Sequence, residues 1–457
     1  MEHQPRKARA IAAMAAAVIL VGACSSSGSP APGGSGGPAG TGPVGTLTVP
    51  AFTNIGGSVT VLAVWAGGTD PKSEEYAFRK VVAPFLAQTG ITLKLTSTRD
   101  VNASITAGLA SGNVPDIAAF PNPGKVIELA KANNIKPLDG LFNTAAYRAD
   151  TAAASALVVN GQQYAEFFKG SIKGLIWYDP KVYTGGDPTS WDDLNAKATT
   201  ALAALPNTKE WCIGLQSGAG SDGWPGTDWI EDFVIRQSGA DVYDKWVNGT
   251  QKWSSAEIKA AFTEFGKALN NTYGDSSLII STAFGKAGDP LFKTPPGCLF
   301  HHQASFITSF FQTDNPTLKA GTDYKFFLEP DLSTSFSGAV TGGGDSLAMF
   351  NDTPQAKALM QYLVTPQAQA IWPAIAGSGA ISGSKSVSTD VYPDDITKTA
   401  AKDLASAKTF RFDGSDLMPA AMSDAFLKAI LDYTKDQTKL DSILASLDTV
   451  QTSAYGG

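Results

Sequence analysis

An alternation of strand-like and helix-like segments begins at residue 58 and constrains the fold more than any other feature. Residues 58–66 (SVTVLAVWA) form a continuous apolar run, and residues 74–88 (EEYAFRKVVAPFLAQ) have helical spacing. The pattern continues with the alternating segment ITLKLTST, the helical segment VNASITAGLASG and the short apolar run VPDIAAF. Strands that alternate with helices in this way pair in parallel, so the sequence predicts a parallel α/β sheet.

The chain becomes richer in predicted helices after residue 172. Helical patterns are predicted at 191–204, 227–238, 256–270, 354–363 and 366–375. Between them, the segment FSGAVTGGGDSLAMF is strand-like and contains three consecutive glycines. With 457 residues and 43% hydrophobic content, the chain is long enough for two or three domains with substantial cores.

The N-terminus has the features of a secretory signal. The basic residues at 6–9 precede an apolar run at 11–23, which is shorter than a typical membrane span. The run ends in VGAC, and small residues followed by Cys24 resemble a bacterial lipobox. We predict a lipoprotein signal peptide over 1–24, with lipidated Cys24 anchoring the protein to the outer face of the cytoplasmic membrane. Plain cleavage after Ala23 is the alternative.

Residues 25–57 contain mainly Ser, Gly, Pro, Ala and Thr, and none of them is charged. This composition cannot bury enough apolar surface to fold, so it predicts a flexible tether.

The charge balance bears on the class of partner. The net charge is −7, only 17% of residues are charged, and no basic run follows residue 9. Nucleic acids and anionic lipids attract clustered Lys and Arg. We therefore expect no nucleic-acid partner, and membrane contact only through the lipid anchor.

Two further cysteines, Cys212 and Cys298, occur in this exported chain. An even number of cysteines in an oxidising compartment predicts a disulfide, with two buried thiols as the alternative.

Several segments, taken in order, resemble one protein family. They are VWAGGTD, GLASGNVPDIAAFPNPG, KGLIWYDPKVY, PTSWDDL, the stretch 211–246, PPGCLFHHQASFITSFF, GGGDSLAMFND, YLVTPQAQAIW and DGSDLMPAAM. Together they resemble the carbohydrate-binding lipoproteins of bacterial ABC importers, which have a maltose-binding-protein-like architecture. The stretch 211–246 together with Cys298 is most similar to the α-glucoside-binding branch. The resemblance covers roughly residues 58–430.

This resemblance implies a two-lobed, type II periplasmic-binding-protein-like α/β fold. The chain would cross the hinge more than once, and the ligand cleft would lie between the lobes. Lobe 1 is expected over 58–171 with 338–382, and the helix-rich lobe 2 over 172–337 with 383–457. The resemblance also implies a monomer without a cofactor that captures an α-glucoside by lobe closure and delivers it to ABC permease subunits. Another sugar-like solute, such as a polyol or a modified or sulfonated glucoside, is the alternative.

Candidate ligand-binding residues lie at strand ends and in the family-like segments. Trp65 follows the first strand and Asn122 the third, at the edge where parallel sheets place ligands. Core packing is an equal alternative for Trp65. Lys173 enters the strand that Tyr178 ends, and a buried lysine needs a partner or a cleft. The full predicted set is Trp65, Gly67, Asp100, Asn122, Lys173, Tyr178, Asp222, Trp224, Asp228, Trp229, His302, Gln303, Gly343, Gly344 and Asp345.

His301 and His302 are adjacent, so on a strand they face opposite sides and cannot hold one metal ion together. We expect no metal site. In the family, this segment contacts ligand, which implies a hydrogen bond from His302 or Gln303 to a sugar.

Gly343 and Gly344 belong to a glycine run that no Lys-Ser or Lys-Thr follows, so a phosphate loop is not supported. The run fits a close backbone approach to ligand or to the hinge, with Asp345 as the hydrogen-bonding residue.

The stretch SDGWPGTDWIEDF at 221–233 combines two tryptophans with four carboxylates. A sugar ring has an apolar face for an aromatic ring and hydroxyls for carboxylates. Pro-Gly predicts a turn that exposes Trp224, with a helix starting at Thr227 or Asp228. We assign stacking first to Trp224 and second to Trp229, and hydrogen bonding to Asp228 or Asp222. Trp224 as a hydrophobic staple is the alternative.

The same carboxylates are also compatible with a glycosidase, which needs two of them beside the scissile bond. However, Asp228, Glu231 and Asp232 equally suit the first turn of a helix, where anionic groups complement the dipole. Together with the tether and the family likeness, this favours binding without catalysis.

Overall fold

The computed structural model describes residues 47–71 and 73–456. The predicted signal peptide, the lipidation site Cys24 and the tether up to residue 46 lie outside these residues. In the described chain, no helix has both the length and the apolar character needed to cross a membrane.

The strands are β1 (Ser58–Ala63), β2 (Thr92–Ser97), β3 (Ile117–Phe120), β4 (Val158–Val159), β5 (Gln162–Gln163), β6 (Ala165–Ile172), β7 (Leu175–Tyr178), β8 (Lys209–Trp211), β9 (Cys298–His302), β10 (Lys325–Leu328), β11 (Ala339–Met349), β12 (Ile381–Ser382) and β13 (Thr409–Phe412).

The helices are α1 (Glu74–Thr89), α2 (Val101–Ser111), α3 (Pro123–Lys131), α4 (Thr144–Asp150), α5 (Trp191–Leu202), α6 (Trp224–Ser238), α7 (Ala240–Val247), α8 (Ala256–Asn270), α9 (Ser276–Ser281), α10 (Ile307–Asp314), α11 (Pro354–Leu363), α12 (Pro366–Ile371), α13 (Asp395–Ser406), α14 (Gly414–Leu417), α15 (Ala420–Lys435) and α16 (Leu440–Ala454).

Helix boundaries follow local capping chemistry. The side chain of Ser73 accepts a hydrogen bond from the Tyr76 amide at the start of α1, and Gly90 ends that helix with a φ of 68°. The prediction for α8 is confirmed at both ends, whereas α12 stops at Ile371, four residues before the predicted end.

The large sheet has the order β12-β6-β11-β3-β1-β2, and β13 pairs with β11. Strands β2, β1 and β3 are parallel, as the alternating pattern predicts. Strand β11 is antiparallel to both β3 and β6, so the sheet as a whole is mixed, beyond the parallel arrangement that the sequence predicts for its first three strands. The reason is topological: β11 arrives from a distant part of the chain and inserts between two earlier strands.

The small sheet has the order β10-β7-β9-β8. The chain leaves the large sheet at Ile172, enters the small sheet at Leu175, and returns between Leu328 and Ala339. Gly174 lies in the first connection between the two sheets and has a φ of 66°. A side chain would not fit at this position, because a Cβ would lie 2.9 Å from Nη2 of Arg236. The lobe limits stay a prediction.

The segment 47–57, predicted to be tether, packs on the core instead. Leu47, Val49 and Phe52 lie against the cluster around β1. The ring of Phe52 lies 5.4 Å from that of Phe85, and its carbonyl accepts a hydrogen bond from Gln88. The described part of the predicted tether, residues 47–57, therefore belongs to the packed structure around β1.

The predicted disulfide is confirmed: Cys212 and Cys298 are bonded, with Cα atoms 5.6 Å apart. Cys298 starts β9, next to β8, so the bond ties neighbouring segments of the smaller sheet.

Candidate ligand-binding site

A cavity of about 170 Å³ lies between the large sheet and the elements around the small sheet. Its wall includes Arg99 after β2 and Asn122 after β3, which lie at the carboxyl edge of the parallel strands. A wider outer cavity shares Arg99, Asn122 and Ser221 with it. The edge of the parallel strands therefore opens into the space where a ligand would enter.

One wall of the cavity is aromatic. Trp224, Phe284, Phe306 and Phe310 all line it. The ring of Trp224 lies 5.0 Å from that of Phe284 and 6.0 Å from that of Phe306, and Phe284 and Phe310 are 4.9 Å apart. These four residues, the aromatic wall, offer apolar surface for one face of a ligand.

The facing wall on the large-sheet side is an ion-pair network. Nζ of Lys169 lies 2.6 Å from Glu74 and 3.1 Å from Asp345, and Arg99 lies 3.3 Å from Glu74. Burial alone would lower the pKa of Lys169, but the charges of Asp345 and Glu74 outweigh it and raise that pKa. Burial opposes the charge on Glu74 as well, but Lys169 and Arg99 lower the pKa of Glu74, so the Lys169–Glu74 pair is charged and held in place.

The network also touches the aromatic wall. The guanidinium carbon of Arg99 lies 5.7 Å from the Phe284 ring, and Nζ of Lys169 lies 5.7 Å from the Phe306 ring. These cation–π contacts join the large-sheet side of the cavity to the other side.

A second charged cluster closes the inner end. The buried ammonium of Lys173 donates to Asp228 at 2.8 Å and to Asp413, and lies 5.6 Å from the Trp224 ring. Burial raises the pKa of Asp228 to about 7, although Lys173 opposes this shift. Asp416 completes the cluster at the cavity wall.

A third charged group lies in the protein interior. Nε2 of His302 lies 3.0 Å from both Asp232 and Glu329, and Arg236 approaches the same carboxylates. Burial would lower the pKa of His302, but the hydrogen bond to Asp232 and the adjacent carboxyl group of Glu329 raise it to about 9. Two cations thus balance two carboxylates here, and the geometry favours a structural ion network over a metal site.

The model of the bacterial extracellular solute-binding protein family matches residues 68–370. The chain belongs to this family. The alpha-glucosides-binding periplasmic protein AglE of Rhizobium meliloti is 35% identical over 405 residues, which are 84% of this chain and 85% of that protein. The osmoprotective compounds-binding protein GgtB of Synechocystis is 31% identical over 387 residues, 82% of this chain and 88% of that protein.

Solved structures share the fold of this solute-binding protein. A chitin oligosaccharide binding protein has a TM-score of 0.73 at 18% identity, covering 88% of this chain and 99% of its own. The GacH receptor of Streptomyces glaucescens has a TM-score of 0.71 at 14% identity, with the same coverage. The two-lobed α/β binding-protein fold predicted from the sequence is therefore confirmed.

The structure brings part of the predicted site of this solute-binding protein together. The predicted residues that line the cavity are Asn122, Lys173, Trp224, Asp228, Gly344 and Asp345. Asp100 caps α2 and lines the outer cavity. Gly343 lies beside Lys173, since a Cβ there would lie 3.2 Å from Cε of the lysine. Their contacts with a ligand stay predictions.

Three predicted aromatic residues lie in hydrophobic cores instead of at the cavity. Trp65 is fully buried and donates its indole N–H to Asp345 at 2.6 Å, so it positions a cavity residue. Trp229 lies 4.7 Å from the ring of Trp211, and Tyr178 is packed in the same core. For Trp65 and Trp229 this is the core placement that the sequence left open.

The remaining predicted residues have structural contacts. His302 belongs to the ion network, and Oε1 of Gln303 accepts from the Ala304 amide at 2.8 Å. Asp222 accepts from the Ser217 and Gly218 amides, both at 2.7 Å. Gly67 adopts a φ of 117° in the turn before α1.

The stretch 221–233 is helical from Trp224 onward, so the predicted start at Thr227 or Asp228 is wrong. Gly223 has a φ of 105°, and a Cβ there would lie 2.6 Å from the Leu427 carbonyl oxygen. Pro225 is accommodated because the first helical turn needs no amide donor from it. This start directs Trp224 and Asp228, four residues apart, to the cavity.

Sequence reasoning missed several cavity residues, namely Glu74, Arg99, Lys169, Phe284, Phe306, Phe310, Asp413 and Asp416. Arg99 follows β2 as Asn122 follows β3, so the strand-end rule applied to every strand would have found it. The segment DGSDLMPAAM contributed to the family resemblance and contains both aspartates. Phe306 and Phe310 belong to the family-like segment PPGCLFHHQASFITSFF, from which only His302 and Gln303 were selected. Phe284 carried no local signal, because its segment meets the cavity only through the fold.

Proposed function

We propose that this solute-binding protein captures an α-glucoside, a small di- or oligosaccharide, for an ABC importer. The observation that carries the proposal is the cavity itself, in which the aromatic wall faces two clusters of carboxylates and cations. A pyranose ring has an apolar C–H face and a rim of hydroxyls, and this arrangement complements both. The name of the relative AglE, an alpha-glucosides-binding protein, supports the linkage type.

The charges favour a neutral ligand. Among the described residues of the cavity wall, each cation is paired with at least one carboxylate: Arg99 with Glu74, Lys169 with Glu74 and Asp345, and Lys173 with Asp228 and Asp413. A sulfate or phosphate group would have to displace one of these pairs. The sulfonated glucoside is therefore the weaker alternative.

A polyol or a modified glucoside is a second candidate. It is supported by the relative GgtB, whose name refers to osmoprotective compounds, at 31% identity. A modified glucoside keeps the pyranose ring, and a polyol offers hydroxyl groups to the same polar residues.

Titration calorimetry tests the proposal directly. Maltose, trehalose and sucrose are titrated into the protein, with cellobiose as the β-linked control and glucose 6-phosphate as the anionic control. We expect saturable binding of at least one α-glucoside and much weaker binding of both controls. Absence of binding by all three, or tighter binding of a control, contradicts the proposal.

The protein acts without catalysis in this proposal. Two of the cavity carboxylates, Asp228 and Asp413, are held by Lys173 instead of flanking an open space as in a glycosidase. Incubation with the same sugars is expected to release no glucose, and its appearance would overturn this part.

Membrane attachment through Cys24 completes the proposal, with the monomer presenting its ligand to the permease subunits. The lipobox-like sequence and the uncharged tether support it. Changing Cys24 to Ala is expected to move the protein from the membrane to the soluble fraction, and persistence in the membrane fraction counts against the anchor.

A further inference from the structure

Asp416 differs from the other acidic residues of the cavity wall. Glu74, Asp228, Asp345 and Asp413 each form an ion pair with a lysine. Asp416 makes its hydrogen bond through the backbone instead: its amide donates to Oδ1 of Asp413 at 2.9 Å. No hydrogen bond or ion pair from another described residue reaches its carboxyl group.

The carboxyl group of Asp416 faces an open space that the fold maintains. The residue lines the cavity, and its Oδ2 would lie 3.9 Å from a Cβ at Gly343. A Cβ there would also lie 3.9 Å from Nζ of Lys173, so glycine at this position keeps a side chain from crowding either group. A ligand hydroxyl that enters there meets a carboxyl group with no competing partner.

The surroundings make a negative charge on Asp416 unfavourable. Burial and the charge of Asp413 raise its pKa well above the ordinary value, Asp228 and Asp345 add to this, and Lys173 opposes it. Glu231, behind them on α6, accepts from the Gly414 and Ser415 amides and adds a further carboxyl group.

The helices and the strand that pack on α14 offer no free buried cation among the described residues, since Lys131 on α3, Lys245 on α7, and Lys428 and Lys435 on α15 are all exposed. Lys125 on α3 is paired with Glu128, and Arg411 on β13 is paired with Asp244 on α7. On α15, Asp424 is a further carboxyl group near Lys125. Lys173 therefore remains the nearby cation, already shared by two aspartates.

We propose that Asp416 is a specificity-determining residue of the site and binds a sugar hydroxyl as a neutral carboxylic acid that donates the hydrogen bond. This inference rests on the proposed function and adds the residue and the protonation state that select a neutral, hydroxyl-bearing ligand. A neutral acid both donates and accepts, so it matches the dual character of a hydroxyl. Ionisation removes the donor and places an uncompensated charge beside Asp413 and Asp228.

The test compares Asp416→Asn with Asp416→Ala, using whichever of maltose, trehalose and sucrose binds the wild-type protein. The amide keeps the donor and the acceptor, so Asp416→Asn is expected to bind within about threefold of the wild type. Asp416→Ala is expected to bind at least tenfold more weakly, since the hydroxyl loses its partner in a buried site. Asp441→Ala, an exposed aspartate on α16, is the control and is expected to bind as the wild type does.

A pH series separates a ligand contact from a merely structural effect. Asp228 titrates in both proteins, so the readout is the ratio of the wild-type dissociation constant to that of Asp416→Asn. This ratio is expected to stay constant or to rise as the pH increases from 5 to 9, because only the wild type can ionise at this position and ionisation removes its donor. A ratio that falls as the pH increases, equal losses in Asn and Ala, or unchanged binding in Ala overturns the inference while leaving the proposed function intact. If none of the three sugars binds the wild type, the proposed function fails and the inference falls with it.

Discussion

Removal of the Trp224 side chain is the sharpest test of the aromatic wall. A tryptophan buries about 150–250 Å² in all, so one indole face over a sugar covers roughly 60 Å², worth about 1.5 kcal/mol at about 25 cal/mol/Å². The cation–π contact with Lys173 at 5.6 Å would be lost as well. Trp224→Ala is therefore expected to weaken α-glucoside binding by at least tenfold, or about 1.4 kcal/mol.

The same change also affects stability, and this must be separated from binding. Trp224 contacts Phe284 and Phe306, and each aromatic pair contributes about 0.5–1.5 kcal/mol. A moderate loss, of about 1–3 kcal/mol in the free energy of unfolding, is expected to leave the protein folded at 25 °C.

The assay is calorimetric titration of the wild type, Trp224→Ala and Trp224→Phe, with unfolding measured on the same samples. Trp191→Ala is the matched control, because Trp191 also packs against other aromatic rings, those of Trp211 and Phe233, but does not line the cavity. The control is expected to lose stability without losing affinity, and Trp224→Phe to retain most of the binding. Normal affinity in folded Trp224→Ala would refute the stacking role, and an equal loss of affinity in Trp191→Ala would show that the effect is indirect.

Three further predictions concern stability and motion. Replacing Cys212 and Cys298 by Ser is expected to lower the free energy of unfolding by about 4–5 kcal/mol, since the bond closes a separation of 86 residues; denaturant unfolding that matches the wild type would contradict this. Glu166 is fully buried, both of its carboxyl oxygens are unpaired, and burial raises its pKa well above the ordinary value. The folded state therefore keeps a proton on Glu166, whereas the unfolded state releases that proton above about pH 4.5. Stability is thus expected to fall as the pH rises above that value, and Glu166→Gln to melt progressively higher than the wild type from pH 5 to pH 8; a gap that does not widen with pH would be inconsistent with a buried neutral acid. Finally, a bound α-glucoside is expected to reduce the radius of gyration in X-ray scattering, and an unchanged radius at saturation would argue against lobe closure.

The sequence allowed much of the fold to be predicted because local chemistry decides the ends of the elements. Helix α8 was predicted at both ends, and α1 to within one residue, because their apolar spacing and capping residues are all local. The pairing of Cys212 with Cys298 needed only their number and the export signal. Less could be predicted where local rules compete, as at Trp224, where Pro-Gly suggests a turn but Gly223 and its contact with Leu427 permit a helix.

The cavity itself was decided by tertiary structure. The aromatic wall joins residues from α6, the segment after α9, the residue before α10 and α10 itself. The carboxyl groups of the opposite wall, Glu74 and Asp345, lie on α1 and β11, which are far apart in sequence. Sequence by itself determined that Trp65 and Trp229 are large aromatic residues near strand and helix ends. It did not determine that both side chains pack in hydrophobic cores while the Trp224 side chain lines the cavity. That choice depends on which surface packs against each ring, and burial of an aromatic side chain is set by all of its neighbours in space. In the same way, composition could show an acidic chain, but only the fold pairs each cavity lysine with its two carboxylates and leaves the carboxyl group of Asp416 facing the cavity.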